Sequence, residues 1–455
     1  MALYDITEYG AVGDGKTLDT EAVQRAIDTC TGDGGGTVFV PAGKTFLIGS
    51  IELKENVELH VERGGELLGT DDIEKYTGHA FPYAKDPERR GWALITATKA
   101  NSIAITGGGK INGNGKKFME ELDRYIYKGK KQRPQLFTFS DCNNVTFREI
   151  ELVDSANWCI NLSGCEDVLI TGIRIMNDLA LPNCDGIDPD HCRNVRISDC
   201  YIQSGDDCIV IKNREEHPEG GPSENITVTN CVLCSTSTAV KIGTESIDDF
   251  RNITFQNCVI KSSNRGLSIQ LRDYGNVENI LFSNCIIETR YFNPKWWGRS
   301  EPIYVTAIHR APGTKLGKVR NVRFSNCLCR CENGVFLAGS EDSMLEDIVL
   351  DNVRIEVDKW SKWPGRQHDR RPCMVNDTSF GIDPEFDKGI VGHDTVGVFG
   401  EHIDGLTLRN VQVTWGENQQ EYWSHALETH NVQDLKQDGF EGQAGREGVE
   451  PQKID

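Results

Sequence analysis

One phrase, Asn-Val-x-Phe-x-Asn-Cys, recurs with small changes along most of this chain. It reads NNVTFREI from Asn143, EDVLITGI from Glu166, RNVRISDC from Arg193, ENITVTNC from Glu224 and RNITFQNC from Arg251. It continues as ENILFSNC from Glu278, RNVRFSNC from Arg320, EDIVLDNV from Glu346 and DGLTLRNV from Asp404. Asp167 to Asn194, Asn225 to Asn252 and Asn252 to Asn279 are each 27 residues apart. A fixed period of this size marks a solenoid, whose units bury their apolar faces only by stacking on one another. The unit is β-branched and alternating, so it is strand and not helix. We therefore expect an all-β, single-domain, right-handed parallel β-helix over residues 1–445, with a polar, mobile tail at 446–455. In such a coil a side chain lies directly over its counterpart in the next rung.

At 455 residues a globular chain would be divided into two or three domains, but a solenoid grows by adding coils. Residues 17–30 carry the one clear amphipathic helix. Thr20 is its expected N-cap, Ala22, Val23, Ala26 and Ile27 form its apolar face, and it is expected to plug the first coil. GDGGGTVFVP from Gly32 reads as a turn into a strand, because no Lys-Ser/Thr pair or helix follows to complete a phosphate loop. Residues 70–92 and 112–134 break the rhythm as loops. Residues 286–318, with Trp296 and Trp297, and residues 358–400, with Trp360 and Trp363, read as insertions flanking a groove. HNVQDLKQDGFEG from His430 reads as a degraded last coil.

The formal charge of -20 argues against nucleic acid or an anionic membrane as partner. The N-terminus, MALYDITEYG, has neither a basic nor an apolar signal region, and no apolar run is long enough to span a bilayer. Sixteen cysteines in a secreted protein would imply disulfides. Here Cys200, Cys231, Cys258, Cys285 and Cys327 all close the same repeat strand, which reads as a ladder of buried thiols. Cys231-x-x-Cys234 and Cys329-x-Cys331 lack the further ligands that a zinc site needs, so no metal and no cofactor is expected. Reduced thiols and the missing signal point to the cytoplasm. The oligomeric state is left open.

The coils can be laid over each other by their alternation. Ile160, Ile187, Ile209, Val240 and Leu267 form an inward stack. Two residues earlier in each, Trp158, Asp185, Asp207, Thr238 and Arg265 form an outward column, and Asn161, Asp188, Val210, Lys241 and Ser268 form another. Parallel rungs lie about 4.8 Å apart. Asp185 and Asp207 are then neighbours, with Asp206 in the adjoining turn and Asp188 one column over. Stacked like charges are unfavourable, so such a cluster argues for chemistry over stability. The alternatives are a solvated acidic surface or a calcium site with oxygen ligands.

Asn183-Cys184-Asp185-Gly186-Ile187-Asp188, followed by Ser204-Gly205-Asp206-Asp207-Cys208, resembles the Asn-Thr-Asp-Gly-x-Asp and Gly-Asp-Asp signatures of the polygalacturonase family, glycoside hydrolase family 28. YGAVGDGKTLDT and GGGTVFVPAG near the N-terminus are similar to the opening of many such enzymes, and the likeness runs from about Tyr9 to Trp415. The resemblance implies a pectin-lyase-like solenoid and hydrolysis with inversion. It makes Asp206 the general acid and Asp185 and Asp207 the pair that holds and deprotonates water. Asn183 would orient the carboxylates or the substrate. The chemistry agrees on its own terms: glycoside hydrolysis needs one protonated and one ionised carboxyl, about 6.5–9.5 Å apart in inverting enzymes.

Two family motifs are missing. Gly-His-Gly falls on Ser237-Thr238-Ala239, and Arg-Ile-Lys falls on Ser268-Ile269-Gln270. Lys212, Lys241, Arg265 and Arg272 are expected to rebuild an anion clamp, with Asp188, Thr238 and Gln270 as further substrate contacts. His309, Trp296 and Trp297 are candidates in the insertion, the tryptophans for stacking on sugar or for anchoring their loop. The reading is thus an inverting, exo-acting hydrolase of galacturonate-containing oligosaccharides. A neutral or differently linked sugar, a polysaccharide lyase on the same fold and a glycan-binding solenoid without catalysis are the alternatives.

Overall fold

The computed structural model describes residues 2–123, 125–217, 219–294, 296–372 and 389–455. The chain forms two compact units, Met1–Ile209 with Arg214–Thr227, and Val210–Asn213 with Val228–Asp455. Both consist of short parallel strands wound into a β-helix, and Thr20–Gly32 is the one α-helix among the described residues. It is too short and too polar to cross a membrane.

The repeat phrase explains the coil residue by residue. Its apolar positions stack in register: Val145, Val168 and Val195 form one inward row, and Phe147, Ile170 and Ile197 the next, all fully buried. In the second unit Phe255, Phe282 and Phe324 stack with ring centroids 5.1 and 4.8 Å apart. That is the spacing of parallel rungs. The phrase's asparagines have a separate duty. Asn252, Asn279 and Asn321, and likewise Asn257, Asn284, Asn326, Asn352 and Asn410, turn the chain with φ between +48° and +59°. Asparagine tolerates this left-handed conformation better than most residues. Each amide then bonds the one below: Asn321 donates to Asn279 at 2.7 Å, Asn326 to Asn284 at 3.0 Å and Asn352 to Asn326 at 2.8 Å. The cysteine of the phrase is a small interior filler. All fifteen described cysteines are buried and unbridged.

Four rungs of the first unit carry the functional face: β1 (Trp92–Thr98), β2 (Pro134–Ser140), β3 (Ile160–Ser163) and β4 (Ile187–Asp190). Ile95, Phe137, Ile160 and Ile187 pair in succession. In the second unit β5 (Thr238–Ser246), β6 (Arg265–Leu271) and β7 (Ile303–Ala307) pair as Val240, Leu267 and Ile303. The Ile160–Ile187 and Val240–Leu267 registers are ones read from the alternation.

The helix runs Thr20–Gly32, two residues beyond its expected end at residue 30, and its capping differs. Asp19, not Thr20, is the residue at the N-cap, and its carboxylate accepts the N–H groups of Val12 and Gly13. Thr20 Oγ1 accepts the Gly49 N–H. Gln24 bonds both the N–H and the carbonyl of Glu52. The helix thus occupies the backbone groups of an edge strand that would otherwise invite another strand. The C-terminal tail also departs from expectation. Gln452–Ile454 is a parallel strand on Leu427–Asp438, fixed by Lys453 Nζ at 3.0 Å from Glu428. Residues 112–134 are more than a loop: Met119–Asp123 and Ile126–Gly129 form an antiparallel hairpin.

The two insertions clasp each other within the second unit. Trp363 Nε1 donates to Phe292 O at 2.6 Å, and Tyr304 Oη donates to Asp369 O at 2.6 Å. Asp369 lies at the centre and accepts from Arg265, Arg371 and the Gly298 N–H. Residues 373–388 of the second insertion lie outside the described residues.

Candidate active site

The carboxylate column exists as expected. The Cys159 N–H donates to Asp185 O at 2.8 Å, and the Gly186 N–H donates to Asp207 O at 2.9 Å. Trp158, Asp185 and Asp207 therefore occupy one column on successive rungs. Asp188 pairs with Asn161 in the next. One oxygen from each of Asp185, Asp206 and Asp207 lies within 4.8 Å of the others. No other such group of His, Cys, Asp or Glu occurs among the described residues. The three are 3%, 5% and 0% exposed. Their nearest oxygens are closer than the carboxyl separation of about 6.5–9.5 Å usual in inverting pairs. Side chains that leave adjacent rungs start only one rung apart.

The motif glycines are explained by close approach of backbone. A Cβ on Gly186 would stand 2.4 Å from Cys208 O, and one on Gly205 would stand 2.1 Å from Leu181 O. The Gly-Asp-Asp turn thus presses against the 178–184 turn, which carries Asn183. Cys184 holds the two together. Its Sγ donates to Leu181 O at 3.1 Å and accepts the Gly205 N–H at 3.2 Å, while Ser204 Oγ donates to Cys184 O. Burial pushes the Cys184 thiol up to about 12, so it remains a neutral spacer. Asp206 Oδ1 accepts the Asp207 N–H at 3.0 Å. Asn177 completes the support by donating to Cys184 O and accepting the Ser155 N–H.

Asn183 is half-buried in a left-handed turn, φ +53°. Its Oδ1 accepts from Arg133 at 3.0 Å, and Arg133 also reaches Pro182 O and Ala156 O. Arg133 was not singled out in the sequence, and only its place just before a strand of the column marked it. Arg214 was missed as well. Its guanidinium lies over Phe81 at 4.0 Å and over Trp158 at 4.7 Å, and Glu216 is 3.0 Å away. Trp158 therefore stands between the carboxylate column and an aromatic and cationic wall.

The other candidates lie in the second unit, and several are engaged elsewhere. Thr238 pairs with Arg265, Lys241 with Ser268 and Gly243 with Gln270, as the alternation required. Arg265, expected in the clamp, is 1% exposed. It binds Glu301 at 3.1 Å and Asp369 at 3.0 Å, over the Tyr304 ring. Arg272 is also an interior residue, donating to Pro372 O at 2.7 Å and Thr306 Oγ1 at 3.0 Å. Burial lowers its pKa. Both arginines hold the insertions in place. Lys212 is buried 3.8 Å from Glu245, Lys241 is buried, and Gln270 donates to Ser268 Oγ. His309 joins Thr314 O to Asp342. Trp296 is 1% exposed and its carbonyl accepts from Arg299 and Arg371, so it anchors its loop. Trp297 is half-buried under the Arg371 guanidinium, 4.6 Å away.

A parallel β-helix with three carboxylates gathered from adjacent rungs defines a solenoid equipped for acid–base chemistry. The model of glycosyl hydrolases family 28 matches residues 30–363, and the chain belongs to that family. A probable polygalacturonase of Vitis vinifera is 32% identical over 253 residues, 53% of this chain and 51% of that protein. An exopolygalacturonase of Zea mays is 30% identical over 246 residues, 53% of this chain and 54% of that protein. The chain spans about half the length of the curated relatives it matches. Among solved structures, a hyperthermoactive exopolygalacturonase from Thermotoga maritima matches with TM-score 0.67 at 27% identity, over 78% of this chain and 87% of that one. A family 28 exopolygalacturonase from Yersinia enterocolitica matches with TM-score 0.72 at 19% identity, over 96% and 78%. At that identity the likeness speaks for the fold alone.

Proposed function

We propose that this chain hydrolyses glycosidic bonds of galacturonate-containing oligosaccharides, with inversion and from a chain end. The observation that carries the reading is the meeting of Asp185, Asp206 and Asp207, whose oxygens lie within 4.8 Å of one another. Two carboxylate oxygens at that distance are bridged by one water at ordinary hydrogen-bond lengths of about 2.8 Å. Asp185 and Asp207 hold that water, and one of them takes its proton as it attacks the anomeric carbon. Asp206 delivers a proton to the leaving oxygen, so the C–O bond breaks without forming a free alkoxide. Attack by water in one step inverts the anomeric centre. Asn183, oriented by Arg133, bonds a sugar hydroxyl beside the bond that breaks.

A galacturonate substrate and exo action draw support from the relatives in Zea mays and Thermotoga maritima, both exopolygalacturonases. One observation favours a second reading with a neutral sugar. Arg265 and Arg272, which would best grip a carboxylate, are both buried in ion pairs and backbone contacts. The test is turnover of defined galacturonides and their neutral counterparts, with product anomers followed by NMR. The proposal expects acidic substrates to be preferred, single units to be released and the product to appear inverted. Retention of configuration would reject the mechanism, and preference for the neutral series would reject the substrate.

A further inference from the structure

One outward column of the second unit turns aliphatic where it meets solvent. Val232, Val259, Ile286 and Leu328 occupy the same position on successive rungs. Val259 is 39% exposed, Ile286 54% and Leu328 55%. On the rungs that follow, the position is polar: Arg354, then Gln412, then Glu441. Scattered exposed aliphatic residues need no explanation, but an aligned row of them is a surface that gains by being covered. We infer that a second copy of this chain docks on this face, about a twofold axis that runs parallel to the strands.

The column beside the row decides the partner. Lys261 and Glu288 follow the paired residues Ile260 and Ile287, Glu288 pairs with Arg330, and Arg330 pairs with Glu356. The sign of charge therefore alternates from rung to rung. A twofold axis along the strands makes each column face itself with its rung order reversed. With the axis midway between the rungs of Glu288 and Arg330, Glu288 meets Arg330 of the second copy, and Lys261 meets Glu356 of the second copy. Every such contact joins opposite charges. In the apolar row the same operation sets Ile286 against Leu328 of the second copy, and Val259 against the aliphatic stem of Arg354. A slip by one rung would bring like charges together, so the alternation also fixes the register. Self-complementarity of this kind is what an interface between identical copies requires.

Shape and net charge suit a face-to-face contact. The rings of Phe255, Phe282 and Phe324, on the same coils, lie 8° and 1° from parallel, so successive rungs barely rotate. Flat sheets can stack about 10 Å apart with their columns aligned. Lys261, Glu288, Arg330 and Glu356 sum to zero charge in a chain of formal charge -20, so two copies can meet here with little of their mutual repulsion. Arg330 is already 3.5 Å from Glu356 and 3.2 Å from Asp358 of its own chain. Its side chain is half exposed, and exposed pairs are held weakly, so it can share its charge across the interface. The apolar row climbs three rungs, about 14 Å, which is less than a standard stable interface spans. The dimer should therefore be weak and depend on concentration.

Sedimentation velocity of the intact chain over a range of concentrations tests this. The samples are the wild type, Ile286→Glu, Glu288→Lys, Arg330→Glu and the double variant Glu288→Lys with Arg330→Glu. The wild type should pass from monomer to dimer as its concentration rises. Ile286→Glu should raise the dissociation constant roughly tenfold or more, and so should each single charge reversal, which sets like charges face to face. The double variant should regain dimerisation, because opposite charges meet again in exchanged places. That recovery also excludes unfolding as the cause of the losses. A wild type that stays monomeric up to roughly millimolar concentration overturns the inference and leaves the face to a different partner or to none. A dimer indifferent to Ile286→Glu forms elsewhere and overturns it too. A double variant as weak as the single ones overturns the pairing of Glu288 with Arg330 and, with it, the twofold contact.

Discussion

Asp206 carries an oxygen fixed by the backbone N–H of the next residue, and its neighbours Asp185 and Asp207 are held by rung registration. Replacing any one with asparagine keeps size and shape and removes the ability to exchange a proton. Asp206→Asn, Asp207→Asn and Asp185→Asn should each lower kcat by about two to four decades, the range for a lost general acid or base. Wild-type rates in all three would reject the assignment. Gly205 makes a different kind of claim. A methyl there would stand 2.1 Å from a carbonyl oxygen, so the turn carrying Asp206 must shift. Gly205→Ala should lower both the melting temperature and kcat, whereas Cys184→Ser should preserve both, since a hydroxyl can make the same two bonds. The carboxylates were legible from the sequence because strand alternation fixes which residues share a column. The fate of Arg265 was not. Its partner Asp369 is 104 residues away, and no local pattern announces that pairing.

At the scale of elements, the repeat wrote its own turns. Asparagine occupies the left-handed corners and then bonds its copy in the next rung, so a single residue type sets both turn and ladder. The insertions follow no such rule and are held by an interior ion network. Burial alone would raise the carboxyl of Asp369, but Arg371, Arg265 and Arg299 hold it well below the usual carboxylate range. A carboxyl depressed on folding stabilises the native state above its unfolded value of about 3.9, and that contribution is lost as pH falls through the folded value. Asp369→Asn leaves buried arginines uncompensated and should cost about 3–5 kcal/mol. Thermal melts of wild type and variant at neutral pH measure the difference. As the pH is lowered below about 4, the gap between the two melts should narrow. A constant gap down to strong acid would contradict the network. The tail and the hairpin at Met119–Gly129 escaped sequence reading because neither carries the repeat phrase.

For the whole molecule, the proposed hydrolysis is one of two ways in which an acidic glycan can be cleaved on a β-helix. A lyase removes the proton next to a carboxylate, needs a strong base there, and leaves an unsaturated end that absorbs in the near ultraviolet. A hydrolase adds water and needs an acid and a base. In the first unit Asp185, Asp206 and Asp207 each bring an oxygen within 4.8 Å of the others. Carboxylates serve water activation and leaving-group protonation at ordinary pH, but they are weak bases toward a carbon acid. The same three oxygens could bind a hard cation, so the two chemistries separate on metal removal. If the carboxylates act as acid and bases, a bound cation would compete with the proton they exchange. Exhaustive treatment with a chelator should then leave the rate unchanged or raise it slightly, and products should show no new near-ultraviolet absorbance. A rate abolished by chelation and restored by calcium, together with growth of that absorbance, would transfer the fold to the eliminating chemistry.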